Sequence, residues 1–226
     1  MTPTNLIRGA AALSLGLASL ASQAAAFGSN LIVNGDAEAG VSGWTAYAGT
    51  DLFQSVDYGS NWVLPTQPGP VDRGAKMFAG ESSAFSAGSQ TVDVSALTAS
   101  FASGKTAFDL NGYLGGWTSQ GDNAQLMVSF IDAASADISY VILGPVTPAD
   151  RGNQTGLLFR QISGFVPVGT AQIKFDLSME RLNSNDNDGY ADNLAFVINT
   201  PAVPEPSTYG LMALGLGLLA YRRRKA

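Results

Sequence analysis

Two segments of this chain set aromatic rings among short polar side chains. One is Asp57-Tyr58-Gly59-Ser60-Asn61-Trp62. The other runs from Tyr113 through Gly115-Gly116-Trp117 to Thr118-Ser119-Gln120-Gly121-Asp122-Asn123. A flat ring can lie against the apolar face of a pyranose, and amides or carboxylates beside it, here Asp122 and Asn123, can take the hydroxyls. Trp117, Trp62, Tyr58 and Tyr113 are therefore candidate ligand-binding side chains, with Tyr47 a further ring. The same rings could instead pack inside the fold, the commoner fate of large aromatics. Trp44, directly after Gly43, reads as core.

The missing residue types narrow the chemistry further. The 226 residues include no Cys and no His. This excludes a disulfide framework, a thiol nucleophile, a Cys or His metal site and a Ser-His-Asp triad. Glycoside hydrolysis by two carboxylates needs none of these. Yet Asp57, Asp72, Glu81, Asp109, Asp122 and Asp132 form no recognisable acid–base pair; Asp109 and Asp132, in or beside apparent strands, are the two to inspect for burial. The chain thus reads as a binder, not an enzyme. Its net charge is −6, and the stretch 27–203 holds seven basic against 17 acidic side chains. That balance argues against nucleic acid and against an anionic lipid surface, both of which need a basic footprint. It favours solubility and hard divalent cations.

The two ends carry addresses. In residues 1–26, Arg8 precedes an apolar run over 10–20 and the small-residue stretch Ser22-Gln23-Ala24-Ala25-Ala26, the pattern of a secretory signal helix too short to span a membrane. At the other end, Val203-Pro204-Glu205-Pro206-Ser207 is followed by an apolar run over 209–221 and then by Arg222-Arg223-Arg224-Lys225. A basic tail behind a short hydrophobic helix stays on the cytoplasmic side during export. The order Pro-Glu-Pro, hydrophobic segment, Arg-rich tail resembles the PEP-CTERM sorting signal of exported bacterial proteins, which makes 201–226 a sorting segment. The resemblance implies transient anchoring in the inner membrane and removal of the tail by an exosortase-type peptidase. It also implies a Gram-negative source that secretes exopolysaccharide, with the protein at the cell surface or outside the cell.

Between these ends, 27–200 reads as one domain. Leu126, Val128 and Phe130 alternate with polar or flexible neighbours, as do Ile173, Phe175, Leu177 and Met179, and Leu194, Phe196 and Ile198. A period of two marks half-buried strands. Further strands are expected at 30–33, 44–48, 52–56, 75–79, 89–94, 107–113, 138–143 and 157–162, with Lys174 and Lys76 on solvent-facing sides. Loops are expected at 65–70, 115–116 and 183–189, and no window carries a helical period. Ten or eleven short strands without crossover helices predict an all-β antiparallel sandwich, most simply a jelly roll.

The domain's edges carry a second resemblance. Asn30-Leu31-Ile32-Val33-Asn34-Gly35-Asp36-Ala37-Glu38 precedes Gly43-Trp44, and Gly189-Tyr190-Ala191-Asp192-Asn193-Leu194 opens the last strand. These motifs resemble galactose-binding-like jelly rolls, several of them carbohydrate-binding modules; the chain departs at Ala37, where an aromatic is usual. Where the first and last strands of a jelly roll meet, Glu38 and Asp192 would converge, with no Lys or Arg in either motif. Converging carboxylates must share a cation or shift their pKa values. The resemblance implies a structural calcium held by the Glu38 and Asp192 side chains, with Asp36 a further ligand and Gly35 a carbonyl donor; alternatively Asp36 and Asp192 cap turns. Asp186-Asn187-Asp188-Gly189 fails the EF-hand pattern, since position twelve falls on Ala195, and reads as a turn or a second cation site. The function expected is recognition of polysaccharide, with a ligand-free matrix protein or a polysaccharide hydrolase as alternatives.

Overall fold

The computed structural model describes residues 25–200, apart from Ala48 and Ser60. The expected signal helix and the sorting tail lie outside the described residues. Alternation produces ten strands: β1 (Thr45–Ala46), β2 (Gln54–Asp57), β3 (Lys76–Glu81), β4 (Phe85–Asp93), β5 (Ala107–Gly116), β6 (Asn123–Ile131), β7 (Asp137–Leu143), β8 (Gly156–Phe165), β9 (Gln172–Glu180) and β10 (Asn187–Ile198). They pair antiparallel into two five-stranded sheets, β1-β4-β9-β6-β7 and β2-β3-β10-β5-β8, packed face to face as a jelly-roll sandwich. Helix among the described residues is confined to a 3-10 turn at Ser95–Leu97 and one α-helical turn at Thr98–Phe101.

The core lies between the sheets and is aromatic at its centre. Phe108 stacks on Phe196 at 5.0 Å, and Phe175 meets Phe196 edge-on at 5.4 Å. Trp44 is buried against Phe53 and Phe78, with ring centroids at 5.4 and 5.9 Å, so it serves as core.

Three boundaries differ from the sequence expectation. The strand expected at 30–33 is a single bridge from Asn30 to Val197. The Asn30 side chain takes the place of a ladder here: its Oδ1 accepts the N–H groups of Ile32 and Phe196, and its amide donates to the Leu194 carbonyl. The chain then turns through Asn34 and Ala37, both left-handed. Gly115 and Gly116 continue β5 instead of forming a loop. Asn187–Gly189, expected in a loop, opens β10. Asn187 is buried and its amide donates to the Ser83 and Met179 carbonyls, which leaves the turn to the exposed residues before it.

A second, smaller cluster sits on the outside of the β2-β3-β10-β5-β8 sheet. Val56, Val63, Met77, Ala79, Leu157 and Tyr190 pack there under Tyr58, Trp62, Tyr113 and Trp117. The long β2–β3 loop folds over this face; the Leu157 N–H donates to the Pro68 carbonyl at 2.9 Å.

Candidate functional site

The two ends of the described chain meet in a seam. The Leu31 N–H donates to the Phe196 carbonyl at 2.8 Å, and the Leu194 N–H donates to the Gly35 carbonyl at 2.9 Å. Position 35 has no room for a side chain, because a Cβ there would lie 2.1 Å from the Leu194 oxygen. Opposite this contact, the register of β10 against β5 shifts between Asp192 and Ala195. The irregularity leaves Asn193 left-handed and sets Asp192 on the outer face of the sheet, fully buried.

The acidic residues expected to hold a metal gather around this seam. Tyr58 Oη donates to Asp192 Oδ2 at 2.6 Å, and the Asn193 N–H donates to Oδ1 at 2.7 Å. Glu38 Oε1 accepts the N–H groups of Ala75 and Lys76 at 2.7 and 2.8 Å, which ties the N-terminal turn to the start of β3. Asp36 Oδ1 accepts the Glu38 N–H, and the Gly35 carbonyl is the acceptor already described. Burial pushes the Asp192 carboxyl up to about 7; the hydrogen bonds from Tyr58 and Asn193 work against this, and the charges of Asp36 and Glu38 reinforce it. Burial and the same carboxylate push the Tyr58 hydroxyl up as well, while Arg73 sits 5.1 Å over its ring. Among the described residues, no three acidic side chains form a metal-holding cluster by themselves. The donor set at the seam is oxygen throughout, which suits a hard cation and no other class of metal.

The four candidate rings also share one face. Tyr58, Trp62, Tyr113 and Trp117 reach it from two separate segments, each half-buried, and Trp62 meets Tyr190 edge-on at 6.1 Å. Tyr58, Trp62 and Trp117 roof the outer cluster instead of forming an open platform, whereas Tyr113 packs on the cluster and also borders the space beside the N-terminal turn. Asp122 is a correction to the expected ligand set. It is fully buried, with Oδ1 accepting the N–H groups of Leu182 and Asn183 and Oδ2 that of Asp188. Its lone pairs take three backbone N–H groups from the β9–β10 region, so none is presented to a ligand. Asn123 begins β6 in the other sheet, and its amide donates to the Gly121 carbonyl. Arg151, also buried, fixes the loop after Trp117 by donating to the Thr118 and Gln120 carbonyls. Neither Asp109 nor Asp132 is buried: Asp109 accepts from Ser163 and Asn199, and Asp132 caps the β6–β7 turn.

A second polar arrangement, not singled out as a site from sequence, lies on the outer face of the β1-β4-β9-β6-β7 sheet. Register places Thr91, Lys174, Ser129 and Tyr140 side by side across β4, β9, β6 and β7. The adjacent row is Ser89, Asp176, Met127 and Ile142. Lys174 Nζ donates to Tyr47 Oη at 2.8 Å and pairs with Asp176 Oδ1 at 3.1 Å. Although both alternate outward, Asp176 is only 5% exposed and Ser129 7%, whereas Tyr140 at the rim is 64% exposed. The face is thus recessed at its centre and edged by rings. Burial opposes the charge on Lys174, but its bonds to Tyr47 and Asp176 outweigh that and hold its pKa above the ordinary value. Burial, with the neighbouring Asp176 carboxylate, raises the Tyr47 hydroxyl, so this side chain stays a neutral phenol. Alternation alone places Lys174 and Asp176 on one face; their neighbours depend on strand order.

Residues 202–225 match the PEP-CTERM protein-sorting motif. No curated protein matches the chain in sequence. In three dimensions it is similar to the enzymatically active domain of tailspike protein 4 of bacteriophage CBA120, at 16% identity and a TM-score of 0.52. That match covers 75% of this chain and 21% of the phage chain, so the present chain spans about a fifth of its length. It is also similar to a family 16 carbohydrate-binding module, at 22% identity and a TM-score of 0.50, covering 74% of this chain and 99% of the module. These likenesses place the domain among jelly-roll sandwiches.

The seam gives the fold a definite pH dependence. Asp192 holds its proton up to about 7 when folded but titrates near 3.8 when unfolded. Between those values the native state binds the extra proton, so stability falls as pH rises from about 4 to 7 and levels off above. Asp188, raised by burial, acts in the same direction. Asp93, Asp109 and Asp150 are lowered and act only below the ordinary carboxylate range. Urea melts across that interval in EDTA should therefore show a declining midpoint, and Asp192→Asn should flatten the decline. An identical slope in the variant would remove Asp192 as its source.

Proposed function

We propose that this is an exported, non-enzymatic protein whose β-sandwich binds a polysaccharide chain laid across the outer face of the β1-β4-β9-β6-β7 sheet. The observation that carries this reading is the transverse row Thr91–Lys174–Ser129–Tyr140, flanked by Tyr47. Sugars present hydroxyls around an apolar ring face. The row offers an exposed ring, hydroxyls and an ion pair, all mounted on strands instead of loops. Because Asp176 neutralises Lys174, the row suits a neutral polymer. The fold shared with a carbohydrate-binding module supports the reading. So does the fate of the displaced carboxylates, since Asp188 and Asp192 both accept a tyrosine hydroxyl and do not face this row.

In this reading the sorting motif directs export. The tail rests briefly in the inner membrane with Arg222, Arg223 and Arg224 on the cytoplasmic side. An exosortase-type peptidase then cuts near Pro204-Glu205-Pro206 and frees the domain to bind exopolysaccharide at the cell surface. A structural calcium belongs to the same proposal. Asp192 is a buried acid pressed by Asp36 and Glu38, the situation a hard cation relieves. Glu38 and Asp192 would hold the ion, with Asp36 and backbone carbonyls such as that of Gly35 completing its shell. Bound there, it would neutralise the seam without taking part in sugar recognition.

On an array of neutral and acidic polysaccharides, the purified protein should be retained by a neutral polymer, and Tyr140→Ala should weaken retention by about tenfold or more. Equal retention of the variant would rule out this face, and absence of binding to every polymer would rule out recognition. Calcium should raise the melting temperature of the wild type at pH 8 and leave Glu38→Gln nearly unmoved; no rise in the wild type would dismiss the ion. In the producing cell, deleting residues 204–206 should leave the tail uncut, and unchanged processing would refute the peptidase step.

A further inference from the structure

An open cleft of about 440 Å³ lies where the N-terminal turn meets β10 and β5. Its polar lining comes from Asn34 and Asp36 in that turn, Asp72 in the β2–β3 loop, Asn111 and Tyr113 on β5, and Asn193 at the β10 irregularity. Ile32, Leu194 and Ala195 add an apolar wall. The volume falls within the range of small-ligand sites, and the cleft is open with a mainly polar lining.

The groups divide into those that hold the cleft open and those left to face a ligand. Asn34 is fully engaged, donating to the Gly40 and Ser42 carbonyls and accepting the Ala39 N–H. Asn193 donates to Asp72 Oδ1 at 3.0 Å and so fixes one wall to another. Among the described residues, the Asn111 amide and the Tyr113 hydroxyl have no hydrogen-bonding partner, while the Tyr113 ring is braced edge-on by Phe159 at 5.4 Å. Among the described residues, no basic side chain lines the cleft, whereas Asp36 and Asp72 do.

We propose that this cleft is a second saccharide site, taking one or two residues of a neutral or amine-bearing sugar. Tyr113 supplies the ring, Asn111 reads hydroxyls, and Asp36 and Asp72 select against uronates and for an ammonium group. Asn111 and Tyr113 point outward from the sheet opposite to the one that carries the Lys174 row. The molecule therefore has a saccharide-binding face on each side and can bridge two polymer chains, converting a binder into a cross-linker. The bridging rests on the polysaccharide reading above; the cleft's own ligand chemistry does not. Glu38 and Asp192 do not line the cleft, but Gly35 and Asp36 do, so the cleft borders the proposed calcium shell and is tested at one calcium concentration.

Calorimetry on the purified protein at fixed calcium tests this with three probes: a β-1,4 glucosamine disaccharide, cellobiose and a galacturonate disaccharide. The first two should bind with one-to-one stoichiometry and the third should not. Asn111→Ala and Tyr113→Ala should each weaken binding by roughly tenfold, and Asp72→Asn should reduce the preference for the amine over cellobiose. Tyr140→Ala should leave all three results unchanged. The cleft is overturned if neither favoured disaccharide binds, if Asn111→Ala and Tyr113→Ala bind normally while melting like the wild type, or if Tyr140→Ala abolishes disaccharide binding. Retention of polymer without disaccharide binding would defeat the cleft alone; disaccharide binding without retention of any polymer would defeat the polysaccharide reading and the bridging, and leave the cleft standing.

Discussion

The sandwich closes through its last strand. β10 lies between β3 and β5, so the sheet that carries the seam has no centre until the final residues of the domain arrive. The N-terminal turn then docks onto β10 through the Leu194–Gly35 hydrogen bond, at a position where even a methyl group would collide. One contact of this kind joins residues far apart in the chain, and its loop-closure entropy has to be met by the aromatic core that forms around Phe196. With no Cys in the chain, the sandwich relies on noncovalent closure alone. The irregularity at Asp192–Ala195 is the geometric consequence: a regular β10 could not present the Leu194 N–H to Gly35 and keep Asp192 on the outer face as well.

The two outer faces differ because only one is covered. On the β2-β3-β10-β5-β8 sheet, the β2–β3 loop and the segment after β5 bring enough apolar surface to bury Tyr190, Met77 and Leu157, so a satellite core forms and the rings of Tyr58, Trp62 and Trp117 become structural. On the β1-β4-β9-β6-β7 sheet the outward residues of the central strand β9, Lys174, Asp176 and Ser178, are polar. A carboxylate as buried as Asp176 would carry a desolvation penalty there, and it is tolerated because Lys174 and Tyr47 are held over it. A paired, recessed charge on an otherwise uncovered sheet is a costly arrangement for stability alone. This is why the polysaccharide reading rests on that face instead of on the tryptophans.

Period-two alternation was enough to locate most strands and to assign the inward residues of β6 and β9, because half-buried strands leave that signature whatever their partners. Trp44 was legible for a similar reason, as a large ring beside a glycine at the start of the fold. The fates of Trp62 and Trp117 were not legible, since a ring among Ser, Asn and Gly has the same local sequence whether it meets a sugar or a satellite core. Asp122 misled because its three backbone partners come from the β9–β10 region, some sixty residues away. The Lys174 row stayed hidden because it depends on the order β4-β9-β6-β7, which alternation does not encode. The apolar run after Asn30 has the look of a strand, yet the Asn30 side chain replaces the ladder with hydrogen bonds of its own.

Raised carboxylate pKa values often mark catalytic groups, and among the described residues two carboxylates are raised, Asp188 and Asp192. Their surroundings argue for another role. Each accepts a hydrogen bond from a tyrosine hydroxyl, Tyr190 for Asp188 and Tyr58 for Asp192, and each tyrosine is itself raised by burial. A general acid must deliver its proton to a substrate atom within hydrogen-bond reach, whereas these carboxylates are shut beneath the rings that bind them. Both occur where β10 is fastened, at its start and at its irregularity. The perturbation therefore accompanies the anchoring of a polar strand in a crowded sheet, where burial favours the protonated carboxyl.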